Sequence, residues 1–174
     1  MCDIFGEQLV KYKEPTEAAE EKKEGENEDL NMEIPVNPLG NYTACVNTAD
    51  VINEKECIGV LFSAEYCPPC QRLLEPLKAF YDEMVKAGNF ELILVNCDKR
   101  ELEYKEHLKS MDWIHALPYN TPDELVAHIE ESSNATVIPK ISIYSTDKGF
   151  EKPVVDDIKG MILKNKDSPA EAVS

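Results

Sequence analysis

The sequence predicts an α/β protein in which helices flank a central mixed β-sheet. Two short apolar runs, residues 58–62 and 91–95, are typical of buried strands because they are continuous and too brief for buried helices. Between them, from Cys70 onward, apolar residues recur at three- and four-residue spacing, which predicts an amphipathic helix. Two strands joined by a helical crossover run parallel, so both should end at the same edge of the sheet.

The charge balance of the chain is strongly acidic. Among its 174 residues, 34 are acidic and 18 are basic, which gives a formal net charge of -16. This length supports one domain with a single core. So negative a chain is not expected to bind nucleic acid or an anionic membrane surface.

The sequence lacks the usual signals for membrane insertion and for secretion. No segment approaches the roughly 20 apolar residues of a membrane span, and the start at Met1 lacks the basic and apolar regions of a signal peptide. We therefore expect a reducing, cytoplasmic compartment, in which the cysteines outside the central motif stay free thiols. These are Cys2, Cys45, Cys57 and Cys97.

The first 33 residues are expected to form an N-terminal segment, followed by a main domain over residues 34–174. An apolar patch near the start is compatible with either an edge strand or a docked turn of helix. It consists of Ile4, Phe5, Leu9 and Val10. Residues 14–33 carry nine acids, two lysines and little apolar content, which predicts an acidic linker that is disordered or docked on a partner.

Two closely spaced cysteines carry the candidate chemistry. Cys67 and Cys70 are separated only by Pro68 and Pro69, at the start of the predicted helix. A helix start leaves backbone N–H groups unpaired and carries the positive end of the macrodipole, so a thiolate at Cys67 is favoured. The prolines suit the first helical turn because they lack N–H groups and have a fixed φ.

This placement predicts a thiol–disulfide exchange cycle. Cys67 is the nucleophile that attacks a substrate disulfide, and Cys70 is the resolving thiol that displaces the reduced substrate. The two cysteines are then joined by a disulfide bond until an electron donor resets them. The cycle requires no cofactor and no metal ion.

A structural zinc site is the alternative interpretation of these cysteines. It would need Cys67, Cys70, Cys97 and His107 to converge with tetrahedral geometry. A single Cys-x-x-Cys pair with two intervening prolines disfavours such a site. Cys97, which follows the second strand, is more typical of a small buried residue.

Three motifs together resemble the tryparedoxin and nucleoredoxin branch of the thioredoxin superfamily. They are the Cys-Pro-Pro-Cys centre after LFSAEY, the segment KSMDWIHALPYN at residues 109–120, and Val137-Ile138-Pro139. The spacing between the motifs also fits, and the resemblance covers roughly residues 55–170.

The resemblance implies a thioredoxin-like fold and the activity of a protein-disulfide reductase, or tryparedoxin-like oxidoreductase. Its partners would be proteins with reducible disulfides, such as peroxiredoxins, and a dithiol or a reductase as electron donor. The Ile138-Pro139 bond is expected to be cis and to place Ile138 beside the nucleophile, where it can pair with an extended substrate segment. The expected substrate-binding residues are Tyr66, Pro68, Pro69, Trp113, Ile138 and Pro139. Trp113, the only tryptophan, either joins this partner surface or fills the core.

Three departures from the branch bear on the site. Tyr66 replaces a tryptophan, and Leu61 stands where thioredoxins have a buried acid. Leu61 leaves no obvious base for Cys70, so Glu65 or water are the choices. Lys140, commonly a threonine in the branch, would favour the thiolate further if its ammonium points toward it.

Local signals predict the neighbouring helices. The active-site helix should span residues 68–87 and end at Gly88, a typical left-handed exit. Residues 101–110 predict a surface helix that is anchored by Leu102 and Leu108.

Further along the chain, Thr121 is expected to cap a helix, with Pro122 in its first turn and Glu124 completing a capping box. Residues 154–155 and 161–163 are expected to supply closing strand material. His115 is expected to be an exposed loop residue.

A second class of function stays open at this point. The acidic segment, together with the loss of the tryptophan and of the buried acid, is compatible with a thioredoxin-like interaction subunit of a larger assembly. In that case the dithiol would be vestigial or regulatory. Reduction of a protein disulfide by the purified chain would discriminate between the two classes.

Overall fold

The computed structural model describes residues 3–14 and 42–169, and its main feature is a six-stranded mixed sheet. The strands lie in the order β2-β1-β5-β4-β3-β6. They are β1 (Gln8–Tyr12), β2 (Thr43–Asn47), β3 (Cys57–Ser63), β4 (Phe90–Asn96), β5 (His115–Ala116) and β6 (Lys140–Ser145). The predicted α/β architecture is confirmed.

Within the described residues, five α-helices accompany the sheet. They are α1 (Thr48–Ile52), α2 (Pro68–Lys86), α3 (Glu101–Ser110), α4 (Asp123–Ser132) and α5 (Lys159–Lys164). The long helix α2 ends as predicted, because Gly88 follows it with a positive φ of 88°. Within the described residues, none of the helices combines the length and the apolar character needed to cross a bilayer.

The centre of the sheet is built from the two strands that the apolar runs predict. β3 and β4 pair in parallel, in a register that sets Ser63 opposite Asn96. β6 pairs antiparallel with β3, with Phe62 opposite Lys140. The carboxyl ends of β3 and β4 therefore meet the start of β6 at one edge, and the candidate site is built there.

Alternating residues of the strands feed two separate cores, one on each face of the sheet. On one face, Leu61 packs with apolar residues from α2, α3 and α5. On the other face, Ile58, Val60 and Phe62 pack with residues from α1 and α4. Both faces of β3 are thus buried, which explains why its sequence is continuously apolar rather than alternating.

The N-terminal residues belong to the sheet and do not stand apart from it. β1 lies between β2 and β5, so it is an interior strand and not the expected edge strand. Phe5 and Leu9 are buried in the core beside α1 and α4. Packing of this apolar patch therefore places part of the expected N-terminal segment inside the main domain.

The acidic segment connects β1 to β2. In the antiparallel register of these strands, Tyr12 is directly opposite Thr43. Residues 15–33, which carry most of the acidic linker, lie outside the described residues. The expectation of disorder or of docking on a partner therefore stays a prediction.

Helix α3 has the predicted bounds but different anchors. Leu102 is 55% exposed, whereas Tyr104, His107 and Leu108 are buried. The spacing of the buried residues is three and four, as on one face of a helix. The buried face of α3 was expected to contain only apolar residues, but it also contains the polar residue His107.

Helix α4 begins later than the capping pattern predicts. Its N-cap is Pro122, and no side chain caps the helix. The Thr121 hydroxyl instead donates to the carbonyl of Pro118 at 2.7 Å. The predicted capping box is wrong because this local turn already uses the threonine.

Residues 161–163 form helix and not strand. They lie in α5, where Ile158 and Ile162 are buried four residues apart while Met161 and Leu163 are exposed. The prediction of closing strand material here is wrong, because helical spacing decides which side chains reach the core. The only bridge seen beyond β6 within the described residues pairs Ile143 with Val155.

His115 is a strand residue and not an exposed loop residue. It lies in β5, between β1 and β4, and its Nδ1 is 3.4 Å from the Glu91 carboxylate. Its side chain is largely buried. The expectation of an exposed loop was wrong because pairing with β4 and β1 draws this segment into the sheet.

Candidate active site

The first cysteine of the dithiol caps the N-terminus of α2. β3 ends at Ser63, a short turn follows, and Cys67 is the N-cap residue of the helix. The Cys67 sulfur accepts the backbone N–H of Cys70 at 3.4 Å. Pro68 and Pro69 have no N–H to offer, so the Cys70 N–H is the donor that this helix start gives the sulfur, and the helix dipole acts on the sulfur in the same direction, in favour of negative charge.

The residues between and before the cysteines form the surface around them. Pro68 and Pro69 are exposed in the first turn of α2, as their missing N–H groups allow. Tyr66 is 55% exposed. A substrate that approaches Cys67 therefore meets the exposed side chains of Tyr66, Pro68 and Pro69.

The second cysteine is held as a neutral thiol. Cys70 is only 1% exposed, compared with 7% for Cys67. Burial raises the pKa of Cys70 to about 11, and its hydrogen bond with Cys67 acts in the same direction. The two thiols are both free, and their environments suit different tasks.

The predicted proline loop lies against the dithiol. The Ile138-Pro139 peptide bond is cis, as expected from the resemblance. The Ile138 side chain packs against the cluster formed by Ala64, Cys67 and Cys70. The structure thus brings together the motif of residues 66–70 and the pair 138–139, which are far apart in the sequence.

The side chains of two residues that were expected to influence the site contact other partners. Trp113 packs on Tyr81 of α2, with ring centroids 4.9 Å apart, and the Lys78 ammonium lies over its ring. Since these partners are two or more helical turns beyond Cys70, the structure supports the core-filling alternative for Trp113. The Lys140 ammonium binds Asp156 at 2.9 Å and the Asn134 carbonyl at 3.0 Å.

Cys97 is the third thiol of the cluster. It packs against the dithiol together with Ile138, and burial raises its pKa to about 12. His107, the fourth residue of the alternative zinc set, contacts other groups instead. In residues 3–14 and 42–169 there is no group of three or more histidine, cysteine or acidic side chains arranged to hold a metal ion.

The position of thioredoxin's buried acid contributes no base. Leu61 is buried there with apolar neighbours. Glu65, the side chain considered as a substitute, accepts a hydrogen bond from the Gln71 amide at 2.8 Å. Its backbone N–H donates to Asp98 at 2.8 Å, so Glu65 serves in the turn that precedes the dithiol.

A buried polar chain next to Cys70 was missed from the sequence. The Ser63 hydroxyl hydrogen-bonds the Cys70 sulfur and lies 3.1 Å from Nε2 of His107. Nδ1 of His107 is 3.1 Å from the Asp98 carboxylate. The positions of Ser63 and Asp98 could have been predicted, because β3 ends at Ser63 and Asp98 lies two residues after the end of β4. His107 could have been predicted to be buried, because it lies three residues after Tyr104 on the same helix face.

Comparisons with known proteins agree with this geometry. A family model described as thioredoxin-like matches residues 55–149, which is more than half of the chain. A probable nucleoredoxin 3 of Oryza sativa subsp. japonica is 34% identical over 92 residues, 52% of this chain and 19% of that protein. The tryparedoxin of Trypanosoma brucei brucei is 31% identical over 88 residues, 51% of this chain and 60% of that protein.

A solved structure agrees at the level of the fold. Tryparedoxin II from C. fasciculata superposes with a TM-score of 0.61 and 21% sequence identity, over 73% of this chain and 81% of that one. The chain spans only 19% of the nucleoredoxin and 60% of the tryparedoxin that it matches. On the match of the family model and the shared fold, the chain belongs to the thioredoxin-like family.

Proposed function

We propose that this protein is a thiol–disulfide oxidoreductase that reduces protein disulfides through Cys67 and Cys70. The observation that carries the proposal is the contrast between the two thiols. The Cys67 sulfur accepts the Cys70 N–H at the positive end of the α2 dipole, which favours its thiolate, whereas Cys70 is deeply buried with its pKa raised to about 11. A nucleophile and a resolving thiol need this difference.

In the proposed cycle, the Cys67 thiolate attacks one sulfur of a substrate disulfide. A bond forms between Cys67 and that sulfur, and the other half of the substrate leaves as a thiolate that takes a proton from solvent. Cys70 then attacks the Cys67 sulfur, the second substrate thiol leaves, and Cys67 is joined to Cys70. Two electrons have passed from the dithiol to the substrate, and a donor dithiol or reductase returns them.

The surface next to Cys67 suits an extended protein segment. Val137 is 63% exposed beside the cis pair Ile138-Pro139, and Tyr66, which precedes Cys67, is also exposed. An extended strand of a client can pair with such backbone while apolar side chains contact its flanks. We propose proteins with exposed disulfides, peroxiredoxins among them, as the clients.

The proposal includes a reducing compartment, the cytoplasm. A dithiol that works as a reductase must be kept reduced, and reducing compartments also keep the other cysteines as thiols. Cys45 is exposed and free, and Cys57 is free as well.

The test is reduction of insulin disulfides by the purified full chain with a small dithiol as donor. Turnover should be lost in Cys67→Ser, and Cys70→Ser should accumulate mixed disulfides with protein clients. Cys45→Ser is the matched control, because this thiol is exposed and outside the site. A folded wild-type chain without turnover would contradict the proposal and favour the interaction subunit.

A further inference from the structure

The chain of Ser63, His107 and Asp98 lies directly behind the resolving thiol. The Ser63 hydroxyl contacts the Cys70 sulfur, and the distances from Ser63 to His107 and from His107 to Asp98 are both 3.1 Å. The side chains of His107 and Asp98 are fully buried. The three residues come from β3, from α3 and from the connection after β4.

Burial of this chain is costly unless its polar groups serve a purpose. His107 lies on the face of α3 that packs Tyr104 and Leu108 into the core, where an apolar side chain would otherwise fit. A buried polar or charged group loses its hydration and needs partners in compensation. His107 has such partners on both ring nitrogens, and one of them leads to Cys70.

The hydrogen bonds around Asp98 fix the direction of the chain. One carboxylate oxygen accepts the backbone N–H of Glu65 at 2.8 Å. The other faces Nδ1 of His107, and because a carboxylate only accepts, Nδ1 is the nitrogen that carries the hydrogen when the ring holds a single proton. Nε2 is then the acceptor, Ser63 donates to it, and the serine oxygen is left to accept the thiol proton of Cys70.

We propose that Ser63, His107 and Asp98 form a proton relay that withdraws the thiol proton of Cys70 as this residue resolves the mixed disulfide. The inference rests on the proposed function. Ser63 contacts the reacting sulfur, whereas His107 and Asp98 act through it as positioning residues. The relay takes the place of the base that Leu61 does not supply.

Protons and electrons balance in the relay step. The S–H bond of Cys70 breaks and its proton passes to Ser63, whose own proton passes to Nε2 of His107. The resulting imidazolium is stabilised by the Asp98 carboxylate. The sulfur of Cys70 forms its bond to Cys67, and the substrate thiolate leaves with the electron pair of the broken disulfide. When a donor later reduces the Cys67–Cys70 bond, the proton returns along the same path.

The resolving thiol needs such help at neutral pH. With its pKa raised to about 11, Cys70 would be ionised in only about one molecule in ten thousand near pH 7. The other titratable groups that face it, Cys97 and Tyr66, do not relieve this, since a negative charge on either disfavours a second one, and the Cys67 sulfur is uncharged because it is then part of the mixed disulfide. Glu130 adds a further negative charge toward Cys97 from α4.

The experiment follows the two exchange steps separately. The reduced full chain, with Cys2, Cys45 and Cys57 replaced by serine so that these thiols do not react, is mixed with dithiobisnitrobenzoate, which releases one coloured thiolate when Cys67 attacks and a second when Cys70 resolves. His107→Gln should slow the second phase about 100-fold and change the first less than about twofold. Ser63→Ala should do the same, and Asp98→Asn should slow the second phase by about tenfold.

The pH profile separates a relay from a merely structural role. In the wild type, the second phase should change little between about pH 7 and 9, whereas in His107→Gln it should rise about tenfold per pH unit, because hydroxide must then ionise Cys70. His128→Gln is the matched control, since His128 is exposed on α4. Far-UV circular dichroism checks the fold, and Ser63→Ala carries the test if His107→Gln does not fold.

The outcomes distinguish the two proposals. Wild-type kinetics without a first phase would overturn the proposed function itself. Two normal phases in the wild type, with the same second-phase rate and the same pH profile in His107→Gln or in folded Ser63→Ala, would overturn the relay alone.

Discussion

Cys67 and Cys70 lie three residues apart, yet their surroundings give the two thiols different chemistry. Cys67 ends the turn after β3 and accepts the Cys70 N–H, while Cys70 is buried in the first turn of α2 with Ser63 as a hydrogen-bond partner. Neither residue type nor spacing alone sets this difference. It comes from the helix start at Cys67 and from the burial of Cys70.

Selective alkylation tests this contrast. At neutral pH, iodoacetamide should modify Cys67 and leave Cys70 unmodified, because a thiol with a pKa of about 11 stays protonated and unreactive until the pH approaches that value. Cys97, with its pKa near 12, should also resist. Peptide mapping by mass spectrometry gives the site of each adduct.

The control for this experiment is Cys67→Ser. If burial protects Cys70, it should stay unmodified in this variant as well. Rapid labelling of Cys70 in either protein would contradict the assignment of the two roles.

Tyr66 should matter for large substrates more than for small ones. Its side chain is 55% exposed beside Cys67, so Tyr66→Ala removes contact area from a docked protein but no group from the exchange chemistry. We expect KM for insulin to rise about fivefold, which corresponds to roughly 1 kcal/mol. The rate with dithiobisnitrobenzoate should stay within about twofold. Leu163→Ala, an exposed position on α5, should change neither rate.

At the scale of elements, the paired strands β3 and β4 position the whole site. Their parallel register brings Ser63 beside Asn96, so that Cys97 and Asp98 lie next to the turn before the dithiol. Close packing of β4 side chains against Gly59 of β3 helps to keep this register. Gly59 shows how little room is left there, since a Cβ atom at this position would lie 2.6 Å from Leu92 and 2.8 Å from Phe90.

Gly59→Ala should therefore destabilise the fold. Neither neighbour can move away without disturbing the core around Phe90, and overpacking of this kind costs about 1–3 kcal/mol. Urea denaturation followed by circular dichroism measures the loss. The matched control is Gly160→Ala, where nothing lies within 4 Å of the new Cβ and a helical position gains up to about 1 kcal/mol. Equal stability of the two variants would contradict the packing argument.

Strands β3 and β4 could be predicted because their apolar runs are short and continuous, and helix α2 because its apolar residues keep a helical spacing over several turns. α5 could not, since Met161, Ile162 and Leu163 form an apolar run that fits either a strand or a helix until Ile158 is seen to share its core face. The dithiol and the cis bond at Pro139 were predicted from motifs. The relay was not, because its three residues meet only after α3 packs on the sheet.

At the scale of the whole molecule, β1 ties the N-terminal residues to the domain. It bridges β2 and β5, and the residues around it contribute to both faces of the core. The domain therefore includes residues on both sides of the acidic segment. Its sheet cannot be completed by the residues after the segment alone.

Removal of residues 1–14 should strongly destabilise the protein. It takes away the buried side chains of Ile4, Phe5, Leu9 and Val10, each worth about 1.5–3 kcal/mol. Their sum is comparable to the 5–15 kcal/mol that stabilises a typical domain. Thermal unfolding followed by circular dichroism should show a lost or much lowered transition, and Leu9→Ala should lose a smaller part, about 2–5 kcal/mol. An unchanged melting temperature would mean that β1 adds nothing.

The register of Tyr12 opposite Thr43 also means that the first strand is held by its neighbours and not by its covalent connection to them. A chain severed between these strands should then behave as two complementary fragments. A synthetic peptide of residues 1–14 should bind a chain that starts at residue 42 and restore its cooperative unfolding. The acidic segment is, in these terms, an insertion between two paired strands, so that its length and sequence can change while the sheet that carries the dithiol stays intact.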